Sequence, residues 1–222
     1  MAATVAHEIR NPLTSVRGFA QRISRKYGSL GDGRLTQYTG IIMQEVDRLN
    51  KFIKDVLDFA RRAKPTFELT DVNRLVADTV NLMHDEFAEH DISVLPDFDM
   101  NLRKTVLDGA LMKQALLNVL QNARQAMGNG GILTVKTQNA GDYVRIRITD
   151  SGHGIPREML SKIWTPFYTS KTQGTGLGLS LVYRIVDDHH GRVTLRSRPG
   201  RGTIVNIYLP VVESEEAFLK PR

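Results

Sequence analysis

The sequence predicts two folded parts of different class: an α-helical hairpin suited to pairing into a dimeric four-helix bundle, followed by an α+β sandwich. Three observations predict this. Apolar residues recur at steps of four and three through the first 64 residues, "KPTFELTDVN" then breaks that rhythm at Pro65, and short β-like runs interleaved with helical stretches follow.

In the first segment Ala6, Ile9, Leu13, Val16, Ala20, Ile23 and Tyr27 form one helical seam. After the glycine-rich turn "GSLGDG" at 28–33, Leu35, Thr39, Ile42, Val46, Leu49, Ile53, Val56 and Ala60 form a second. Two helices cannot cover both seams and the extra apolar residues Phe52, Leu57 and Phe59, whereas two hairpins can, so a homodimer is expected. Packing of the hairpin against the rest of its own chain is the alternative.

Beyond Pro65, β-like runs lie at 92–95, 131–138, 143–150, 191–198 and 202–210, with helical stretches near 71–89, 110–127 and 176–189. That pattern implies helices on one face of a mixed sheet. The expected organisation is a hairpin over 1–64, a linker over 65–70, a sandwich over 71–212 and a frayed tail over 213–222.

Composition narrows the function. With no cysteine, disulfides and thiolate metal sites are excluded, and there is no apolar run of the ~18 residues that cross a bilayer nor a signal-peptide core, so the chain reads as cytoplasmic. The net charge of +6 resides wholly in residues 1–64, where twelve Lys or Arg face six acids. Interspersed acids and the lack of interleaved aromatics favour an acidic protein partner over nucleic acid.

Four stretches bear chemistry. In "QALLNVLQNARQAM" (114–127), Asn118 and Asn122 share a helical face; amide oxygens there suit either caps and solvent or a hard cation such as Mg²⁺. "DSGHGIP" (150–156) places Asp150 at a strand end, able to accept from an exocyclic amine, with Gly152 and Gly154 permitting close backbone approach; a plain tight turn reads the same way. "GTGLGLS" (174–180) opens a helix and offers free N–H groups to an anion, but is neither a P-loop nor a dinucleotide fingerprint. The long loop "IWTPFYTSKTQ" (163–173) suits a mobile lid. At the N-terminus "HEIRN" lacks the second histidine of a zinc-protease HExxH, since Asn11 stands there, and no zinc is expected.

Their order is more specific than any one of them. H-E-x-x-N-P-L, N-x-x-x-N-A, D-x-G-x-G-I, F-Y-T-S-K, G-T-G-L-G-L and G-R-G-T resemble, in sequence, the catalytic core of a two-component sensor histidine kinase: a dimerisation and phosphoacceptor hairpin, then an ATP-binding domain of the gyrase, Hsp90, histidine kinase and MutL (GHKL, or Bergerat) type. "NARQAM" and "FYTSKTQGTGLGL" look most like kinases of the nitrogen-regulation type.

The resemblance implies ATP-dependent autophosphorylation of His7, with Glu8 orienting the ring and taking its proton, then transfer to an aspartate of a response-regulator receiver domain. Asn11 matches the position that in many members aligns a water to dephosphorylate that regulator. Asn122 is implied as the Mg²⁺ ligand with Asn118 in support, Asp150 as the adenine acceptor, Gly152, Gly154 and Thr203 as the base pocket, and Gly174, Thr175, Gly176, Leu177 and Gly178 as the phosphate-side loop. Lys171 is implied to reach the γ-phosphate when the lid closes, and the second half is implied to swing onto the hairpin about Pro65 and its flanks. Departures are Trp164, where phenylalanine is frequent, and Gln125–Ala126 in place of a Lys-Tyr pair; Arg124 is a substitute candidate for the phosphate-contacting cation. A sensor region outside these residues, with any membrane anchor, is expected. An ATP-hydrolysing conformational machine and a nucleotide-sensing scaffold are the rival classes, and the scaffold would not require His7, Glu8 and Asn122 together. Pro12, four residues after Glu8, is expected to bend the first helix beside His7.

Overall fold

The computed structural model describes residues 2–27, 33–60, 65–128, 130–171 and 174–212, with side chains at 2–12, 27, 33, 51 and 60 outside the description. Two compact units emerge: Met1–Ala63 with Thr169–Leu177, and Lys64–Tyr168 with Gly178–Arg222.

In the first unit α1 (Ala2–Tyr27) and α2 (Gly33–Ala60) form the expected hairpin. α1 is a single helix through Pro12. Three seam positions, Ala20, Thr39 and Val46, are buried, with Thr39 returning its hydroxyl to the Leu35 carbonyl at 2.9 Å. Arg17 bridges to Asp47 across the helices at 3.0 Å. Leu13, Leu35, Ile53 and Val56 are half-buried, and Val16, Ile23, Ile42 and Leu49 stay exposed with Phe19, Tyr38, Ile41 and Phe52. Within this unit Thr175 donates its hydroxyl to Asp55 at 2.7 Å, and the backbone N–H of Lys171 donates to Thr169 Oγ1 at 3.0 Å.

The second unit opens with β1 (Glu68–Thr70), then α3 (Val72–Asn81), α4 (His84–Ala88), β2 (Ile92–Phe98), β3 (Thr105–Leu107) and α5 (Gly109–Met127). It continues through β4 (Gly131–Ala140), β5 (Tyr143–Asp150), α6 (Arg157–Leu160), α7 (Gly178–Asp188), β6 (Arg192–Ser197) and β7 (Thr203–Pro210). The five-stranded sheet has the order β2-β4-β5-β7-β6, with β2 and β4 parallel and the other neighbours antiparallel. Alternate residues (Leu133, Val135; Val144, Ile146, Ile148; Val205, Ile207, Leu209) face a core shared with Leu116, Val119 and Leu120 of α5 and Val182, Ile185 and Val186 of α7. Polar partners on the opposite face, such as Arg147 on Asn206 at 2.9 Å, complete the alternation.

Three elements differ from the expectation. The helix over 71–89 is two, because the chain tightens at Met83, whose N–H turns to Val80 at 3.0 Å, and this lets Met83 and Phe87 both reach the core. The strand at 92–95 runs on through Pro96 to Phe98; β2 is an edge strand, where a missing N–H is tolerated. β1 and β3 pair in a separate two-stranded ladder that three-residue runs could not announce.

Candidate functional site

α5 is the backbone of the site. Asp108 caps its start, accepting the Leu111 N–H at 2.9 Å, and Gly128, at φ +62, ends it. Along one face lie Asn118, Asn122 and Ala126, spaced by four, so they form a line about 12 Å long at 1.5 Å per residue. Leu116, Val119, Leu120 and Ala123 of the same helix are buried, which holds this line in place.

At one end of the line stands the start of α7. Asn118 returns its amide N–H to the Gln114 carbonyl at 3.0 Å, which turns Oδ1 towards Gly178. A first side-chain carbon at Gly178 would come within 3.2 Å of that oxygen and 3.8 Å of the Asn122 amide nitrogen. A helix N-terminus with bare backbone therefore faces two amides, an arrangement able to take an anion with its counter-cation. Asn118 Oδ1 is a neutral oxygen of the kind a hard ion takes, and among the described residues no group of three His, Cys, Asp or Glu could hold a metal by itself. Magnesium here would need phosphate oxygens and water to complete its shell.

At the other end Ala126 meets the loop after β5. Its carbonyl accepts the His153 N–H at 3.0 Å, and any side chain at Gly152 would lie 2.6 Å from that carbonyl. Asp150 ends β5 with Thr203 as its register partner on β7. The N–H groups of Gly152 and Thr203, at 2.9 and 3.2 Å, both donate to Asp150 Oδ1, so Oδ2 carries neither. Burial pushes the Asp150 pKa above its ordinary 3.8, against the lowering effect of those two N–H groups. A buried carboxylate that takes the Gly152 and Thr203 N–H groups on one oxygen can accept from a ligand on the other.

Gly154 (φ +71) and Gly202 (φ +77) let this loop and the β6–β7 turn interlock: a side chain at Gly202 would sit 1.9 Å from the Asp150 carbonyl. Ser197 fastens the turn, its hydroxyl accepting the Ile155 N–H at 2.8 Å and lying 3.0 Å from Thr203 Oγ1. Ser197 was not anticipated, and Ala126 only as part of a departure from a Lys-Tyr pair. Neither carries a signal in its own stretch, since their roles depend on what the sheet brings opposite them.

Of the residues expected from sequence, Asn118, Asn122 and Gly178 come together, as do Asp150, Gly152, Gly154 and Thr203. Lys171, Gly174, Thr175, Gly176 and Leu177 belong to the first unit; Gly176 has φ +70 and Leu177 is buried. Arg124 has partners of its own. Two residues past Asn122 it points about 200° around the helix, where Nε lies 2.7 Å from Glu86 Oε1 and a terminal nitrogen 3.1 Å from His90 Nε2. It joins α4 to α5 instead of reaching towards the Gly178 end. Trp164 lies against Tyr183 of α7 with ring centres 6.1 Å apart. His7, Glu8 and Asn11 fall within α1, and their side chains lie outside the described residues.

Comparisons with known proteins match both parts. Residues 107–213 fit the family described as histidine kinase-, DNA gyrase B- and HSP90-like ATPase, and residues 1–65 fit the His Kinase A (phospho-acceptor) domain. The sensor histidine kinase ZraS of Klebsiella oxytoca is 36% identical over 212 residues, covering 95% of this chain and 46% of that protein. The solved catalytic domain of histidine kinase ThkA is 32% identical with a TM-score of 0.61, over 65% of this chain and 95% of that one. Histidine kinase ThkA in complex with the response regulator protein TrrA is 30% identical with a TM-score of 0.71, over 96% and 61%. The chain spans about half the length of the first curated relatives it matches.

Proposed function

The chain belongs to the two-component sensor histidine kinase family, and on that premise we propose that it autophosphorylates His7 from ATP and passes the phosphoryl group to an aspartate of a receiver domain. The observation that carries the proposal is the line Asn118–Asn122–Ala126 on α5, with an anion-suited helix start at one end and the half-used carboxylate of Asp150 at the other.

The assignment of roles follows that line. Asp150 Oδ2 accepts the adenine amino group, Gly152, Gly154 and Thr203 shape the base pocket, and Asn118 and Asn122 face the phosphates. Asn122 would hold Mg²⁺, which when bound offsets phosphate charge. Gly174, Thr175, Gly176, Leu177 and Gly178 supply the phosphate-side loop, and Lys171 meets the γ-phosphate on closure. One imidazole nitrogen of His7 attacks the γ-phosphorus as the bond to ADP breaks, and Glu8 takes the proton leaving the other nitrogen. The protein's contribution is chiefly to position the two reactants. Asn11 aligns a water for the reverse task, dephosphorylation of the regulator.

The exposed apolar residues of the hairpin, among them Val16, Ile23, Ile42 and Leu49, support a homodimer through a four-helix bundle. The basic hairpin supports docking of an acidic receiver, and the relative ThkA has been solved in complex with a response regulator protein. Among the described residues no helix is long and apolar enough to cross a membrane.

Incubation with γ-labelled ATP tests the proposal. The chain should acquire acid-labile, base-stable label that His7→Ala abolishes and that a receiver domain removes. Absence of label on the unaltered chain, or its survival in His7→Ala, overturns the assignment.

A further inference from the structure

His189 is unused by this scheme, yet it is 1% exposed and bonded through both ring nitrogens. Its Nδ1–H donates to the Ile185 carbonyl at 2.6 Å, while Nε2 accepts the backbone N–H of Asp108 at 2.9 Å. An accepting Nε2 requires the neutral ring. Burial lowers the His189 pKa accordingly, although the nearby carboxylates of Asp108 and Asp188 pull the other way.

Asp108 is a junction in its own right. One carboxylate oxygen caps α5 through the Leu111 N–H, and the other accepts the Thr66 N–H at 2.8 Å. The next residue, Phe67, meets the His189 ring edge to face, with centroids 5.3 Å apart. Thr66 and Phe67 directly follow Pro65, so they belong to the stretch by which the chain reaches this domain from the hairpin. The node therefore touches three things at once: that stretch, the first turn of the helix carrying Asn118 and Asn122, and the last turn of the helix that starts at Gly178.

We propose that His189, acting with Asp108, is a positioning residue that couples the segment Thr66–Phe67 to the two helices of the nucleotide site, so that displacement of that segment changes the affinity for ATP. This rests on reading the domain as the nucleotide-binding one. The coupling is mechanical: α5 is gripped at its N-terminus and α7 at its C-terminus by one rigid ring. A shift of Phe67 tilts the ring and moves the Asp108 end of α5, and with it the distance between Asn118 and Gly178.

Four variants of the full chain test it: Phe67→Ala, His189→Leu, both together, and His189→Gln, whose side-chain oxygen reaches the place of Nε2. Binding of ATP and amide hydrogen exchange of Leu111 and Met112 in the nucleotide-free chain are measured. Phe67→Ala should weaken ATP binding about 5-fold or more and speed that exchange in the parent, but add nothing to His189→Leu. His189→Gln keeps an acceptor for the Asp108 N–H but loses the ring that Phe67 meets, so its ATP affinity should fall about as far as in Phe67→Ala, while His189→Leu, which loses both contacts, should fall further. Equal effects of Phe67→Ala in both backgrounds, or ATP affinity in His189→Gln staying within about 2-fold of the parent, overturns the coupling. If the unaltered chain binds no ATP, the proposed function falls, and the exchange measurements still decide the coupling.

Discussion

Replacing Asp150 by Asn separates what this residue does for the fold from what it does for a ligand. Both backbone donors, Gly152 and Thr203, use Oδ1, and asparagine retains an oxygen there. The change removes a buried charge, whose desolvation raises the Asp150 pKa above 3.8, and puts an NH₂ group in place of Oδ2. Unfolding should therefore occur at the same or a higher temperature than in the parent at pH 7. Binding should respond in the opposite sense. A hydrogen bond to a charged acceptor contributes about 1.5–3 kcal/mol, which is roughly 12- to 150-fold in affinity, and an NH₂ facing the adenine amine can only add to the loss. The pH dependence has a definite sign. Above the raised pKa the native state holds a buried carboxylate that the unfolded state solvates; between that pKa and 3.8 the native state takes up its proton first, and the penalty disappears. The stability advantage of Asp150→Asn should thus shrink as pH falls through this range. Calorimetric titration with ATP, alongside thermal unfolding across pH, measures both halves. ATP affinity within about 2-fold of the parent in a well-folded Asp150→Asn chain would refute the adenine role, the bound on Oδ2 being about 12-fold.

The other sites give sharper single outcomes. Gly202→Ala should lower stability and ATP affinity together, because φ +77 and a contact at 1.9 Å from the Asp150 carbonyl act at once; Gly141→Ala, at φ +63 in open space, should cost only about 1–2 kcal/mol and spare binding. Thermal melts with nucleotide titration compare the pair. Ile42→Glu, on the exposed hairpin face, should raise the dimer dissociation constant about 10-fold or more in sedimentation equilibrium, since it removes apolar burial from both copies. Arg124→Ala should leave ATP affinity within about 2-fold and cost about 1 kcal/mol in denaturant unfolding, the scale of a partly exposed ion pair with Glu86.

What was readable in the sequence is what depends on near neighbours. Asp150 with Gly152 and Gly154 declares a polar strand end and a turn within five residues, and Asn118 with Asn122 declares a shared helical face. The seams of α1 and α2 likewise follow from spacing alone. Features made by distant pairing were not readable. Asp108 and His189 are 81 residues apart, and neither stretch hints at the other. The direction of Arg124 depends on Glu86 and His90, which the stretch around Asn122 does not announce. The break at Met83 arose from competition between helical continuity and core burial of Phe87, which a continuous apolar pattern conceals.

The line of Asn118, Asn122 and Ala126 makes α5 a ruler. Its rise fixes the separation of the two ends of the site, one graded by Gly178 and the other by Gly152 and Asp150. A ligand must match a length as well as two chemistries. Insertion or loss of one residue in α5 would rotate one end off the face while leaving the other, so preference for the base and for the phosphate chain cannot drift separately along this helix.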